Sequence, residues 1–93
     1  MGIFSNELKT LRESAGIPQR KVAAALDIDT ATYSKIENGL YVPRKEQVIA
    51  LASYFKRKEE DLLKFWTADK IATVTNGDME LAEEAIRLVQ DQR

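Results

Sequence analysis

Residues Gln19 to Gly39, QRKVAAALDIDTATYSKIENG, decide how this chain is read. Val22, Ala23 and Leu26 share one face of a first helix, and Ile28, Tyr33 and Ile36 form the matching set beyond the turn Asp27-Ile28-Asp29. Two short helices joined by a turn of fixed length therefore share one small core. Ala23, near the middle of the first helix, suits a steep crossing at which two backbones approach closely. Asp29 or Thr30 can cap the second helix, and Asn38-Gly39 supply its C-terminal stop. Tyr33 is expected to place its ring in the core with the hydroxyl reaching the surface.

Outward from this pair the chain continues to read as helix. Phe4, Leu8, Leu11 and Ala15 recur at three- and four-residue spacing, which predicts helix 1 over about Ser5 to Ala15, capped by Ser5 and ended by Gly16. Pro18 suits the entry of helix 2, which should run to Leu26. After a loop from Leu40 to Pro43, residues Lys45 to Phe55 form helix 4, burying Val48, Ile49, Leu51, Ala52 and Phe55. Arg44 stands at the cap position, where arginine is a poor cap. Helix 5 starts near Lys58 or Glu59, with Glu59, Glu60 and Asp61 at the positive end of its dipole and Leu62, Leu63, Phe65 and Trp66 as anchors. Beyond an Asn76-Gly77 break, Asp78 can cap a last helix carrying Leu81, Ala82, Ala85, Leu88 and Val89. The expected class is all-α, with no internal repeat and no Pro/Gly-rich linker.

The Gln19–Gly39 layout is that of a DNA-reading helix-turn-helix. The chain also resembles the lambda-repressor-like, or XRE/Cro-type, family in carrying Gln19 at the opening of helix 2, Ile36-Glu37-Asn38-Gly39 at the end of helix 3, and later Leu51-Ala52 and Leu62-Leu63. With the spacings kept in order, the resemblance spans roughly residues 5 to 66. It implies a five-helix DNA-binding domain over residues 1–66, followed by a C-terminal helical extension over residues 67–93 within the same unit. The chain departs from the family at Asp27, where glycine is favoured, at Arg44, where serine is common, and at Tyr33, where isoleucine or valine is usual.

Composition narrows the function. Ninety-three residues make one domain, too short for a deep catalytic cleft. Cysteine and histidine are both absent, so no disulfide framework and no zinc or transition-metal site are expected, and no cofactor is implied. With neither a membrane-spanning apolar run nor a signal core, the expected location is cytoplasmic, away from the membrane. The net charge of −1 hides a polarity: residues 1–58 hold ten Lys/Arg against six Asp/Glu, whereas residues 59–93 hold four against nine. A basic part facing DNA and an acidic part turned away from phosphates account for that division.

A helix in the major groove presents its first turn and one outward stripe to the base edges. Carried over from the family, Thr30, Ala31 and Lys35 fall at principal base-reading sites, with Ser34 between them. Lys35 can donate to guanine O6/N7, Thr30 can hydrogen-bond or make a methyl contact, and Ala31 can pack on a thymine methyl. Asp29 is expected to cap rather than to accept from cytosine. Gln19, at the N-terminus of helix 2, is expected to hold a phosphate, with Arg20, Lys21, Asn38 and Arg44 in the same backbone clamp.

One such unit touches few base pairs, so a homodimer reading a palindromic double-stranded operator is expected, with half-sites about one DNA turn apart. Apolar residues in excess of the five-helix core make the extension the dimerisation element, through Leu81, Ala85, Leu88 and Val89. The alternative is a last helix that folds back on its own domain. No small-molecule ligand is expected; control would come from protein concentration, autoregulation at the protein's own promoter and, for an activator, a contact to RNA polymerase from helix 2 or the loop after helix 3. Two competing readings stand beside this one. Ser53-Tyr54-Phe55-Lys56 formally matches the S-x-x-K pattern of acyl enzymes, without partner motifs and in mid-helix. The same fold can also serve as a protein-binding antitoxin or adaptor.

Overall fold

A computed structural model describes residues 2–92 of the protein. Six helices follow one another: α1 Ile3–Ser14, α2 Gln19–Ala25, α3 Thr30–Glu37, α4 Lys45–Tyr54, α5 Glu59–Val74 and α6 Met79–Asp91. The described residues contain no strand. The all-α expectation holds, as do the positions of all six helices.

The core lies where α1 to α5 converge. Phe4 and Leu8 of α1, Val22 and Ala23 of α2, Tyr33 and Ile36 of α3, and Val48, Leu51 and Ala52 of α4 are buried there. Leu62 closes the core from α5, and Leu63, Phe65 and Trp66 pack on its edge. Ala15 does not join it: the residue is exposed and serves as the C-cap of α1.

Helix ends repay a closer look, because they set where each helix points. α1 to α5 all end in paired turn hydrogen bonds, for instance Gly39 N–H to Ile36 C=O at 3.1 Å and Leu40 N–H to Lys35 C=O at 2.9 Å. That pattern needs a left-handed residue after the cap. Glycine supplies it at Gly39 (φ 75°), but Asp27, Lys56 and Asn76 supply it elsewhere at φ 58°, 58° and 53°. The family's glycine position thus keeps its backbone shape with aspartate in it, at a steric cost that Asp and Asn tolerate best among residues with a side chain.

Ser5 is not the cap of α1. It sits in the third helical position, where its hydroxyl accepts from Gly2 N–H at 3.0 Å. The orphan donors of Ile3 and Phe4 are met instead from α5, by the two Asp69 carboxylate oxygens at 2.7 and 2.9 Å. A Cβ on Gly2 would lie 2.6 Å from Asp69 Oδ2, so a larger residue there would have to displace the Asp69 carboxylate. Trp66 Nε1 donates to Pro43 C=O at 2.8 Å and fastens the α3–α4 loop to the same helix. α5 runs unbroken across Trp66 to Val74, and these hydrogen bonds tie it to α1 and to the α3–α4 loop. α6, by contrast, packs mainly on α5, and Ala82 is its one buried residue among the described residues.

Candidate nucleic-acid interface

α3 is eight residues long, and its sequence fixes which side faces inward. At 3.6 residues per turn, Tyr33, Ile36 and Glu37 fall on one side and are buried. Thr30, Ala31, Ser34, Lys35 and Asn38 fall on the opposite arc, all exposed except half-buried Ser34. The structure therefore brings the four expected base-reading residues together on one outward face, with Asn38 at its end. Asp29 opens the helix as its cap, accepting from Thr32 N–H at 2.7 Å. Hydrogen bonding from Thr32, side chain first and then backbone, holds the Asp29 carboxyl below its ordinary range.

The angle at which α3 is presented rests on a carboxylate that the sequence reading did not single out. Glu37 is buried and accepts from three helices: Arg12 Nε of α1 at 2.6 Å and Arg12 Nη2 at 3.1 Å, Gln19 Nε2 of α2 at 3.1 Å, and Tyr33 Oη of its own helix at 2.5 Å. Arg12 also donates to Ile17 C=O at 2.8 Å, bracing the turn into α2. Burial opposes ionisation of Glu37, but the hydrogen bonds from Arg12, Tyr33 and Gln19 outweigh it and hold the carboxyl below its ordinary value. Burial, reinforced by the bond to Glu37, pushes the Tyr33 phenol well above its usual range. The Tyr33 hydroxyl consequently does not reach the surface, as its position in the sequence suggested; it points inward and completes the cluster. No buried side-chain nitrogen or oxygen among the described residues lacks a partner.

The expected phosphate-contacting residues lie on α2, at the end of α3 and at the start of α4. Arg20, Lys21, Asn38 and Arg44 are exposed. Arg44 leaves its side chain out of the capping of α4, since Gln47 Oε1 accepts from Arg44 N–H at 2.9 Å in the reciprocal half of a capping box. Gln19 is half-buried, and its amide already donates to Glu37, so it is a bridge between α2 and α3 before it is anything else. The signal for the missed cluster was present in sequence: Arg12 on α1 and Glu37 in the Ile36–Gly39 run both lie next to core positions.

The geometry defines a helix-turn-helix with an exposed, hydrogen-bonding second helix. A family model described as Helix-turn-helix matches residues 8–62, more than half of the chain. The protein belongs to that family, the XRE/lambda-repressor-like helix-turn-helix DNA-binding regulators. No curated protein and no solved structure matches the chain significantly. Among the described residues, no helix is long and apolar enough to cross a membrane.

Proposed function

We propose that the protein is a sequence-specific transcriptional regulator that binds a palindromic operator as a homodimer, each copy laying α3 in the major groove, and that it acts on its own promoter. The observation that carries this reading is the outward arc of α3, where Thr30, Ala31, Ser34 and Lys35 stand together on a helix held rigid by Glu37. Lys35 donates to guanine, Thr30 and Ser34 offer hydroxyls, and Ala31 meets a thymine methyl. Arg20, Lys21 and Arg44, with Asn38 and the free half of the Gln19 amide, grip the backbone on either side and supply affinity without reading sequence. Two copies joined through Leu81, Ala85, Leu88 and Val89 of α6 double the number of bases read, with half-sites one turn of DNA apart. Those four side chains are exposed, as an interface in the isolated chain must be.

Fluorescence anisotropy against DNA from upstream of the protein's own gene and against a scrambled duplex, at two salt concentrations, tests the reading. The expected result is a preference of about 10³-fold or more for the promoter DNA. Equal, salt-sensitive binding to both duplexes contradicts autoregulation at that promoter.

A further inference from the structure

Exposure along α6 reveals how little of it its own chain covers. Ala82, beside the turn from α5, is 2% exposed; Ile86, one turn on, is 40% exposed; Val89, a further turn on, is 66% exposed. The two helices thus touch next to the turn and then part. Between them lies a cleft of about 370 Å³, lined by Ile71 and Val74 of α5 and by Ala85, Ile86 and Val89 of α6, with Lys70 at its rim. The departure also shows in the overall shape, 42 by 24 by 22 Å, with a radius of gyration of 14.5 Å against about 12 Å for a compact chain of this length.

The apolar half of α6 has a second edge. Leu81 and Leu88 lie away from the cleft, 49% and 67% exposed, and Ala85 lies between the two edges. One short helix therefore carries a cleft wall on one side and a ridge on the other. That is the condition for a two-fold contact in which each copy gives what it receives.

We propose that the cleft between α5 and α6 is the seat for the α6 of a second copy, so that two α5–α6 pairs clasp one another with Ala85 at the two-fold axis. This rests on the dimeric reading above and specifies its interface. The small Ala85 side chain lets the two α6 helices cross closely. In an antiparallel crossing there, Leu88 of one copy enters the Val74 end of the other copy's cleft, and Leu81 enters the Lys70 end. Val74, at 85% the most exposed large apolar residue, is then covered. Charge favours a second copy over DNA in this position. The polar half of α6 carries Glu80, Glu83, Glu84 and Asp91 against Arg87 alone, which repels phosphate, whereas the one charged residue lining the cleft is a cation, Lys70, its ammonium held 4.4 Å from the Trp66 ring.

The chain has no cysteine, so introduced thiols report only on themselves. Val74→Cys protein carrying a mass tag is mixed with untagged Leu88→Cys protein and oxidised, and the disulfide-linked heterodimer is measured by non-reducing electrophoresis. The control pair is Val74→Cys with Glu83→Cys, whose thiol lies on the polar half of α6. The mass of the unsubstituted protein is measured by light scattering at concentrations that saturate DNA. A dimeric mass together with a Val74–Leu88 heterodimer at least about tenfold above the control supports the clasp. A dimeric mass with no excess over the control overturns it while leaving the dimeric reader intact. A monomeric mass overturns both.

Discussion

Glu37 shows how much of the reading surface hangs on one buried side chain. Its carboxylate joins Arg12, Gln19 and Tyr33, so three helices meet at one group. Glu37→Ala leaves Arg12, whose side chain is only 13% exposed, with just the exposed Glu13 carboxylate at 3.9 Å as counter-charge. The expected loss is about 3–5 kcal/mol in unfolding free energy, measured by urea titration. Because folding lowers the Glu37 pKa, the stability it adds is complete above the ordinary value of 4.5 and is lost as pH falls below that value through the folded one. Thermal unfolding between pH 7 and pH 3 should accordingly show a steeper acid loss for the native protein than for Glu37→Gln. On the surface, Lys35→Ala should cost about 1–3 kcal/mol on the operator and relax the base preference at one position. An equal loss on specific and random DNA would make Lys35 a phosphate contact. The exposed residues of α3 were legible in the sequence because they are what remains once the apolar period is drawn. The Glu37 cluster left only a faint signal, two charges next to core positions, because periodicity marks apolar residues and does not say which charged ones turn inward.

At the scale of elements, α1 to α4 and the start of α5 follow from apolar spacing and from stop residues, and these boundaries shift by no more than two residues between expectation and structure, whereas α5 runs on to Val74, past the expected domain end at residue 66. Local signals misplaced the start of α1 because its cap is not local. Asp69 reaches it across 65 and 66 positions of sequence, which no window of neighbouring residues contains. Asp69→Ala should cost about 1 kcal/mol, as the loss of a helix N-cap does, and should raise amide exchange in the first turn of α1 selectively. Uniform exchange across the helix would contradict the cap. Asp69 and Trp66 also explain why α5 does not stop where the resemblance ends: each reaches from α5 to a segment of the reading domain. The excess apolar residues of the extension divide accordingly. Phe65 and Trp66 pack on the core, whereas Val74, Leu81, Ile86, Leu88 and Val89 stay exposed and would be covered in the proposed dimer.

For the whole molecule, the polarity of charge read from the sequence accords with the division of labour proposed for the helix-turn-helix and α6. The basic side chains Arg20, Lys21, Lys35 and Arg44 lie on the α2–α3 pair and at the start of α4, while Glu80, Glu83, Glu84 and Asp91 lie on α6 and are exposed. If Arg20, Lys21 and Arg44 of both copies neutralise phosphates, the logarithm of operator affinity should fall against the logarithm of salt concentration with a slope of about −5. A slope near zero would remove the backbone clamp. Leu88→Glu, which sets a charge on the clasp, should yield monomers by light scattering and weaken operator binding; an unchanged dimer would refute α6 as the interface. The central claim is that this chain reads DNA sequence with two symmetric copies of α3. Its most direct test is selection from a pool of random duplexes by the purified protein, followed by sequencing of the bound fraction. The account predicts a two-fold symmetric motif whose half-sites lie about 10 base pairs apart, centre to centre. Enrichment of no motif, or of a single unsymmetrical half-site, would contradict it.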